Sequence, residues 1–396
     1  MSTFFVYNSE YAGKCYWTEK RSRISSVFSY DEEYLSGNNN WNIDPELSLV
    51  AGTQASNLGL LGAFRDASPD RWGQTLIRHR HHQESKISGR VVCPVNEVDY
   101  LLGVSDLSRQ GDLRFSLEKG GAFQHHSDDI PKLISLPKLL HATARYVDSM
   151  DENAINYLLE AGSASLGGAR PKATVIDGDN LFIAKFPHRQ DEWDVIAWEW
   201  VCLNVAAESG ICVPENRLID VSGNNVLLVK RFDRIGDKRI SYISAMTLLN
   251  LTDGERADYS EIAEELCNVS ISAKNDLHEL FRRIVFNLLM NNTDDHLRNH
   301  GLLRSGSGWC LSPVFDINPN PDISATRITR VFDEIDKKSA LTALFANTEG
   351  FDLTHQEAED ILYDVQSAMK SCEKFVKNAK INKTECNRMF VTLGLI

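Results

Sequence analysis

The chain has 396 residues, of which 42% are hydrophobic and 24% charged, with a formal net charge of −13 at pH 7. That length allows two or three domains and a large buried core. The acidic balance argues against broad, nonspecific attraction to nucleic acid or to an anionic membrane. No apolar run approaches the roughly 20 residues needed to span a bilayer. The start, MSTFFVYNSEYAGKCYW, has no basic stretch leading into an apolar one, so no signal peptide is expected and a cytoplasmic protein is. Cysteines stand at 15, 93, 202, 212, 267, 310, 372 and 386 with no CxxC pair, the pattern of free thiols in a reducing compartment.

In chain order, FFVYN, KCYWTE and ISSVFSY alternate as strands do. GAFRDASPDRWGQTLIRHR predicts a turn at Pro69 and a helix from about Asp70, with Ser68 or Asp70 as cap. The histidines of RHRHHQ (His79, His81, His82) lack carboxylate or cysteine company and suit a solvated helix end better than a metal site. Residues 83–130 are polar and irregular apart from one helical segment near NEVDYLLGVSD, and two helices follow across IPKLISLPKLLHATARYVDSM and ENAINYLLEAG.

GSASLGGARPKATV (162–175) is glycine-rich. It is not a Walker A loop, because Gly168-Ala169 stand where Lys-Ser/Thr is required and because it runs from helix into strand. Such a loop can still cover phosphates, since backbone N–H groups approach closely where no Cβ intervenes. Ser163, Ser165, Arg170 and Lys172 add hydroxyl and cationic groups; the plain alternative is an ordinary helix-end loop. KATVID and NLFIAKF flank Asp177-Gly178, which favours a type I′ hairpin. Lys185 lies in that second apolar strand, facing either solvent or a cleft. DEWDVIAWEWVCLNVAAESG predicts about five turns of helix with Glu199 among large apolar residues, where a carboxylate needs a partner. A strand lysine paired with a glutamate on the next helix is how protein kinases hold ATP phosphates. VPENRLIDV and NVLLVKRFDR give a second hairpin, and beyond 240 the chain is helical except for NHGLLRSGSGWCLSPVF.

NNTDDHLRN closes a core helix. Asp294 and Asn299 have the spacing of a phosphotransferase catalytic loop, in which the aspartate accepts a hydroxyl proton and the asparagine ligates magnesium. Asp295 fits that spacing less well but is not excluded by it. Asp316, in SPVFDI, supplies a second hard oxygen ligand, and His296 is expected to orient the loop. Each residue has a plainer reading as a cap or turn; their order along the chain favours a kinase.

SLGGARPKA, FIAKFP, LLVKRFDR, NNTDDHLRN and SPVFDI, with GAFRDASPDRWG before them, resemble the HipA-like serine/threonine kinases, toxin components of bacterial toxin–antitoxin pairs. The resemblance implies an α+β fold, with a small mixed N-terminal subdomain (1–140), a strand-rich kinase lobe (141–235) and a helical lobe (236–396). It implies ATP- and Mg2+-dependent phosphorylation of a protein hydroxyl on a translation component such as an aminoacyl-tRNA synthetase, family members being known to target these enzymes. Asp294 would be the base, and Asn299 and Asp316 the magnesium ligands. Ser165, Leu166, Gly167, Gly168, Ala169, Lys185, Val229, Lys230, His296 and Asn299 would bind ATP, with Val229-Lys230 in the hinge. Ser165 matches an autophosphorylated serine that switches the kinase off, and Ser163 is a second acceptor. Asp295 and Arg298 depart from the glycine and lysine common in the family. A helix-turn-helix antitoxin is the implied partner, with DNA reached mainly through it and no membrane role. Lys370, Lys374, Lys377, Lys380 and Lys383 would form one basic face if the C-terminal segment is helical, either solvated or contacting antitoxin or phosphate. The alternatives are a catalytically silent regulatory module and a small-molecule or lipid kinase.

Overall fold

The computed structural model of the chain describes residues 2–38, 40–89, 91–124, 130–163 and 170–396. Alternation at the start gives the antiparallel strands β1 (Ser2–Tyr7), β2 (Tyr11–Lys20) and β3 (Arg23–Tyr30), with Phe4, Val6, Phe28 and Tyr30 turned inward. There follow α1 (Glu32–Ser36), β4 (Gln54–Ala55), α2 (Gly62–Asp66), α3 (Arg71–Ile87), α4 (Glu97–Leu102) and β5 (Arg114–Ser116). The sheet runs β4-β3-β2-β1-β5. Phe4, Phe64 and Phe115 meet edge-on beneath it at centroid separations of 5.4–5.7 Å.

Helix α3 continues to Ile87, so His79, His81 and His82 stand in mid-helix and not at a helix end. Asp70 occupies the N-cap position, yet its carboxylate makes no capping bond and faces Lys172 Nζ, 3.5 Å away. Helices α5 (Leu136–Ser149) and α6 (Glu152–Glu160) lead to the hairpin β6 (Lys172–Asp177) and β7 (Asn180–Lys185). Asp177 pairs with Asn180, which makes Gly178-Asp179 the turn. Only Gly178 of the two has positive φ, so the turn is not the expected type I′, which needs it at both positions.

Helix α7 (Val195–Glu208) has 14 residues, about four turns rather than five. Strands β8 (Asn216–Val221) and β9 (Asn224–Lys230) turn through Ser222 and Gly223, both at positive φ. Short strands β10 (Arg234–Ile235), β11 (Lys238–Arg239) and β12 (Tyr242–Ser244) precede α8 (Ala245–Leu248), α9 (Tyr259–Val269) and α10 (Ala273–Leu289). The hairpin β13 (Gly301–Ser305) and β14 (Gly308–Leu311) and helices α11 (Lys337–Ala346), α12 (His355–Met369), α13 (Cys372–Asn378) and α14 (Lys383–Leu393) complete an α+β chain.

Contacts divide the chain into two compact units. The first comprises Met1–Gln190, Asp220–Asn224 and Leu228–Ile243, so the position near 140 expected as a boundary lies inside it. A buried charge network ties residues 105–112 to the segment after β9. Arg231 grips Asp233 with two bonds of 2.9 and 2.7 Å and donates to the carbonyls of Ser108 and Arg109. Asp233 also accepts from the Gly111 amide at 2.8 Å. Burial works against its charge, but Arg231 and Arg234 beside it hold its carboxyl far below the usual range.

The second unit comprises Asp191–Ile219, Asn225–Leu227 and Ser244–Ile396. Helix α7 belongs to it and packs on α12 and α13. Glu385 of α14 accepts from the Trp198 indole at 2.7 Å and from the Asp194 amide at 3.0 Å. The C-terminal lysines do not share one helix: α12 ends at Met369, α13 spans Cys372–Asn378 and α14 starts at Lys383. All five lysines are exposed, and Lys374 pairs with Glu208 at 3.2 Å. Among the described residues no helix is long and apolar enough to cross a membrane. All eight cysteines are free thiols.

Candidate functional site

The second unit holds the acidic loop after α10. The helix ends at Met290 because Asn291 turns left-handed (φ 51°), a conformation asparagine tolerates better than most residues. Amide side chains then fasten the loop. Asn291 Nδ2 donates to the carbonyls of Asn320 and Asp322, Asn292 Nδ2 to Asn287 Oδ1, and Asn320 Nδ2 to Thr293 Oγ1. Arg327 Nη1 donates to the carbonyls of Asn287 and Asn292, and Thr329 Oγ1 to that of Asp295 at 2.6 Å. A cavity of about 10 Å³ remains among Tyr259, Asn287, Asp295 and Arg327, room for no more than about one water.

The two aspartates have opposite surroundings. Asp295 is 4% exposed, and its Oδ2 accepts from Tyr259 Oη, from Asn287 Nδ2 at 2.7 Å and from His300 Nε2 at 2.9 Å. Burial alone would raise its pKa, but the charge and hydrogen bond of His300 and the bond from Tyr259 bring it below the usual carboxylate value. Burial and the neighbouring Asp295 push the Tyr259 hydroxyl well up, so it stays a donor. Asp295 is thus committed to the scaffold. Asp294, one residue earlier, is exposed. Asn299 is buried, with Nδ2 directed to the Asp294 carbonyl at 3.4 Å, which leaves Oδ1 as the atom for a cation.

Asp316 follows the β13–β14 hairpin. Arg283 Nη2 donates to the Ser312 carbonyl at 2.7 Å and the Val314 amide to the Cys212 carbonyl at 2.8 Å, fixing the approach. Asp316 itself is half-buried at φ 57°, a left-handed conformation uncommon for a residue with a Cβ. Asn318 Oδ1 and His296 Nδ1 are buried without a hydrogen-bond partner among the described residues. A carboxylate, an amide oxygen and an orphaned amide oxygen in these two segments suit a hard cation such as magnesium.

In the first unit, Lys185 ends β7 half-buried, and Val229 (buried) and Lys230 (half-buried) end β9. Glu199 is 2% exposed on α7, in the second unit. Ser165, Leu166, Gly167, Gly168 and Ala169 lie outside the described residues. Ser163 is fully buried: its Oγ accepts from the Trp72 indole and donates to the Lys172 carbonyl. Lys172, grouped by sequence with the loop's phosphate-binding cations, is buried and paired with Asp70. Sequence reading passed over Tyr259, Asn287, His300 and Arg327. The available signal was Asn287, a polar residue within IVFNLLM, which requires a buried partner.

A Haemophilus influenzae protein named as a candidate kinase is 25% identical over 186 residues, 40% of this chain. The chain spans about half the length of that relative, 54%. The Shewanella oneidensis HipA, solved with HipB and its operator DNA, superposes with a TM-score of 0.69 at 15% identity, covering 99% of this chain and 95% of that one. The Helicobacter pylori proinflammatory kinase CtkA gives a TM-score of 0.45 at 17% identity, over 58% of this chain and 88% of that one. The sequence pattern of the HipA-like C-terminal domain matches residues 164–372, just over half the chain. The chain belongs to the HipA-like family and has the HipA fold.

Proposed function

We propose that this chain is an ATP- and magnesium-dependent serine/threonine protein kinase, the toxin of a toxin–antitoxin pair. The observation that carries the reading is the division of labour in the acidic loop: Asp295 is locked into the scaffold by three side-chain donors, while Asp294 beside it stays exposed. An accessible carboxylate on a rigid loop can accept a proton from an incoming hydroxyl. Asn299 and Asp316 would hold magnesium, which neutralises charge at the transferred phosphate. Lys185 is assigned to the ATP phosphates, the glycine-rich loop to the same group, and Val229-Lys230 to adenine. The HipA relative solved with HipB and operator DNA supports a helix-turn-helix antitoxin as partner and DNA contact mainly through it. A translation component such as an aminoacyl-tRNA synthetase is the proposed substrate class. Autophosphorylation at Ser165 would place nearly two negative charges in the nucleotide loop and repel ATP.

The test is phosphate transfer from Mg-ATP, read by mass spectrometry of residues 162–172 in wild type and in Asp294→Asn. Phosphate appearing in the wild type alone is the expected result. A wild type that neither binds ATP nor transfers phosphate overturns the reading.

A further inference from the structure

Both ends of the glycine-rich segment are fastened to the turn that opens α3. Ser163 precedes the segment and Lys172 follows it, nine positions later, and the Ser163 hydroxyl donates to the Lys172 carbonyl. The same hydroxyl accepts from Trp72 Nε1 at 2.9 Å. Lys172 Nζ reaches Asp70 Oδ2 at 3.5 Å, with the lysine side chain almost wholly buried. Lys172 also lies directly across the hairpin from Lys185, so the two side chains share one face of the sheet. Asp70 supplies the opposite charge for Lys172, and its carboxylate makes no capping bond to its own helix. On the remaining side, Gly162 (φ 67°) abuts Ser108, whose Cβ lies 2.6 Å from where a Gly162 Cβ would be. The Ser108 carbonyl is held in turn by Arg231 at 2.6 Å.

We propose that Trp72 and Asp70 are positioning residues for ATP binding, acting through Ser163 and Lys172 on the two ends of the nucleotide loop. The N-terminal part of the chain then sets the affinity for nucleotide without touching it. Ser163 is a fastening point and not a phosphate acceptor, because both partners of its hydroxyl would have to be released before phosphate could be attached. This inference rests on the proposed kinase reading, and its test separates the two.

Steady-state phosphate transfer is measured for full-length wild type, Trp72→Phe, Ser163→Ala and the double variant, with melting temperatures alongside. Trp72→Phe keeps a ring against Tyr146, which the indole meets edge-on at 5.2 Å, and removes only the N–H donor. KM for ATP should rise about fivefold to tenfold with kcat nearly unchanged, and the double variant should be little worse than either single one. A readout independent of activity is subtilisin cleavage between residues 163 and 172, which should be faster in both single variants. Folded variants with wild-type KM and wild-type cleavage overturn the positioning role while the kinase stands. A wild type without ATP binding or transfer overturns both, whatever the cleavage rates. If Trp72→Phe does not fold, Ser163→Ala decides by the same readouts.

Discussion

At the scale of single residues, the neighbouring aspartates 294 and 295 differ by what surrounds them. Removing the Asp295 carboxylate leaves the Tyr259 hydroxyl, the Asn287 amide and the His300 ring N–H buried without an acceptor. Asp295→Ala should therefore destabilise the chain by about 3–5 kcal/mol, visible as a lower urea midpoint. Asp294→Asn, at an exposed position, should change stability by no more than about 0.5 kcal/mol. The same substitution should lower phosphate transfer by about 10²–10⁴-fold, the usual worth of a positioned general base. Spacing favours Asp294 as the proposed base, and its exposure beside the buried Asp295 is compatible with that proposal.

Among the elements, the segment after β9 carries more than the hinge residues expected of LLVKRFDR. Arg231 and Asp233 are buried, Arg234 is half-buried, and together they hold the 105–112 loop. Asp233→Ala should cost about 3–5 kcal/mol, because it leaves buried guanidinium groups without their counter-charge. A carboxyl with depressed pKa contributes stability that is present above the unfolded-state value of about 3.9 and is lost as pH falls below it. Asp112 in the same loop behaves oppositely. Burial pushes it up to about 6, against the bond from Ser241 and the nearby Arg234 and Arg239. A raised carboxyl favours the folded state at low pH and costs it on the order of 3 kcal/mol once pH passes the folded value. Asp112→Asn should remove that loss between pH 4 and pH 7, approximate bounds for the titration, as measured by urea denaturation at both. Strands β1 to β3, the hairpins β6–β7, β8–β9 and β13–β14, and helices α5, α6 and α10 were readable from periodicity and turn residues. The start of α3 was readable, but its extent through the histidines was not, because propensity there is weak. The lysine stripe at the C-terminus followed from spacing that assumed one helix, whereas the segment is split into α12, α13 and α14, with Lys374 and Lys377 in the second, Lys383 opening the third, and Lys370 and Lys380 outside the helix spans.

Considered whole, the molecule combines net charge −13 with five exposed lysines near its C-terminus. Long-range repulsion from DNA should dominate over these few lysines, which share no single helix. The chain without an antitoxin should bind duplex DNA no more tightly than about micromolar at roughly 0.15 M salt, checked by fluorescence anisotropy across a salt series. Tight, salt-resistant binding by the isolated chain would contradict DNA contact through the antitoxin. By sequence alone, periodicity and the order of short motifs determined a strand-rich block followed by a helical one and a kinase-like series of candidate residues. The resemblance carried by those motifs supplied the α+β class and the family, because these depend on local pattern along the chain. Only the tertiary structure decided that Asp295 belongs to the scaffold, that Ser163 and Lys172 are fastened to the start of α3, and that Arg231 and Asp233 tie distant segments together. Burial and hydrogen-bond partnership are made between residues far apart in the chain, and no spacing within a motif encodes them.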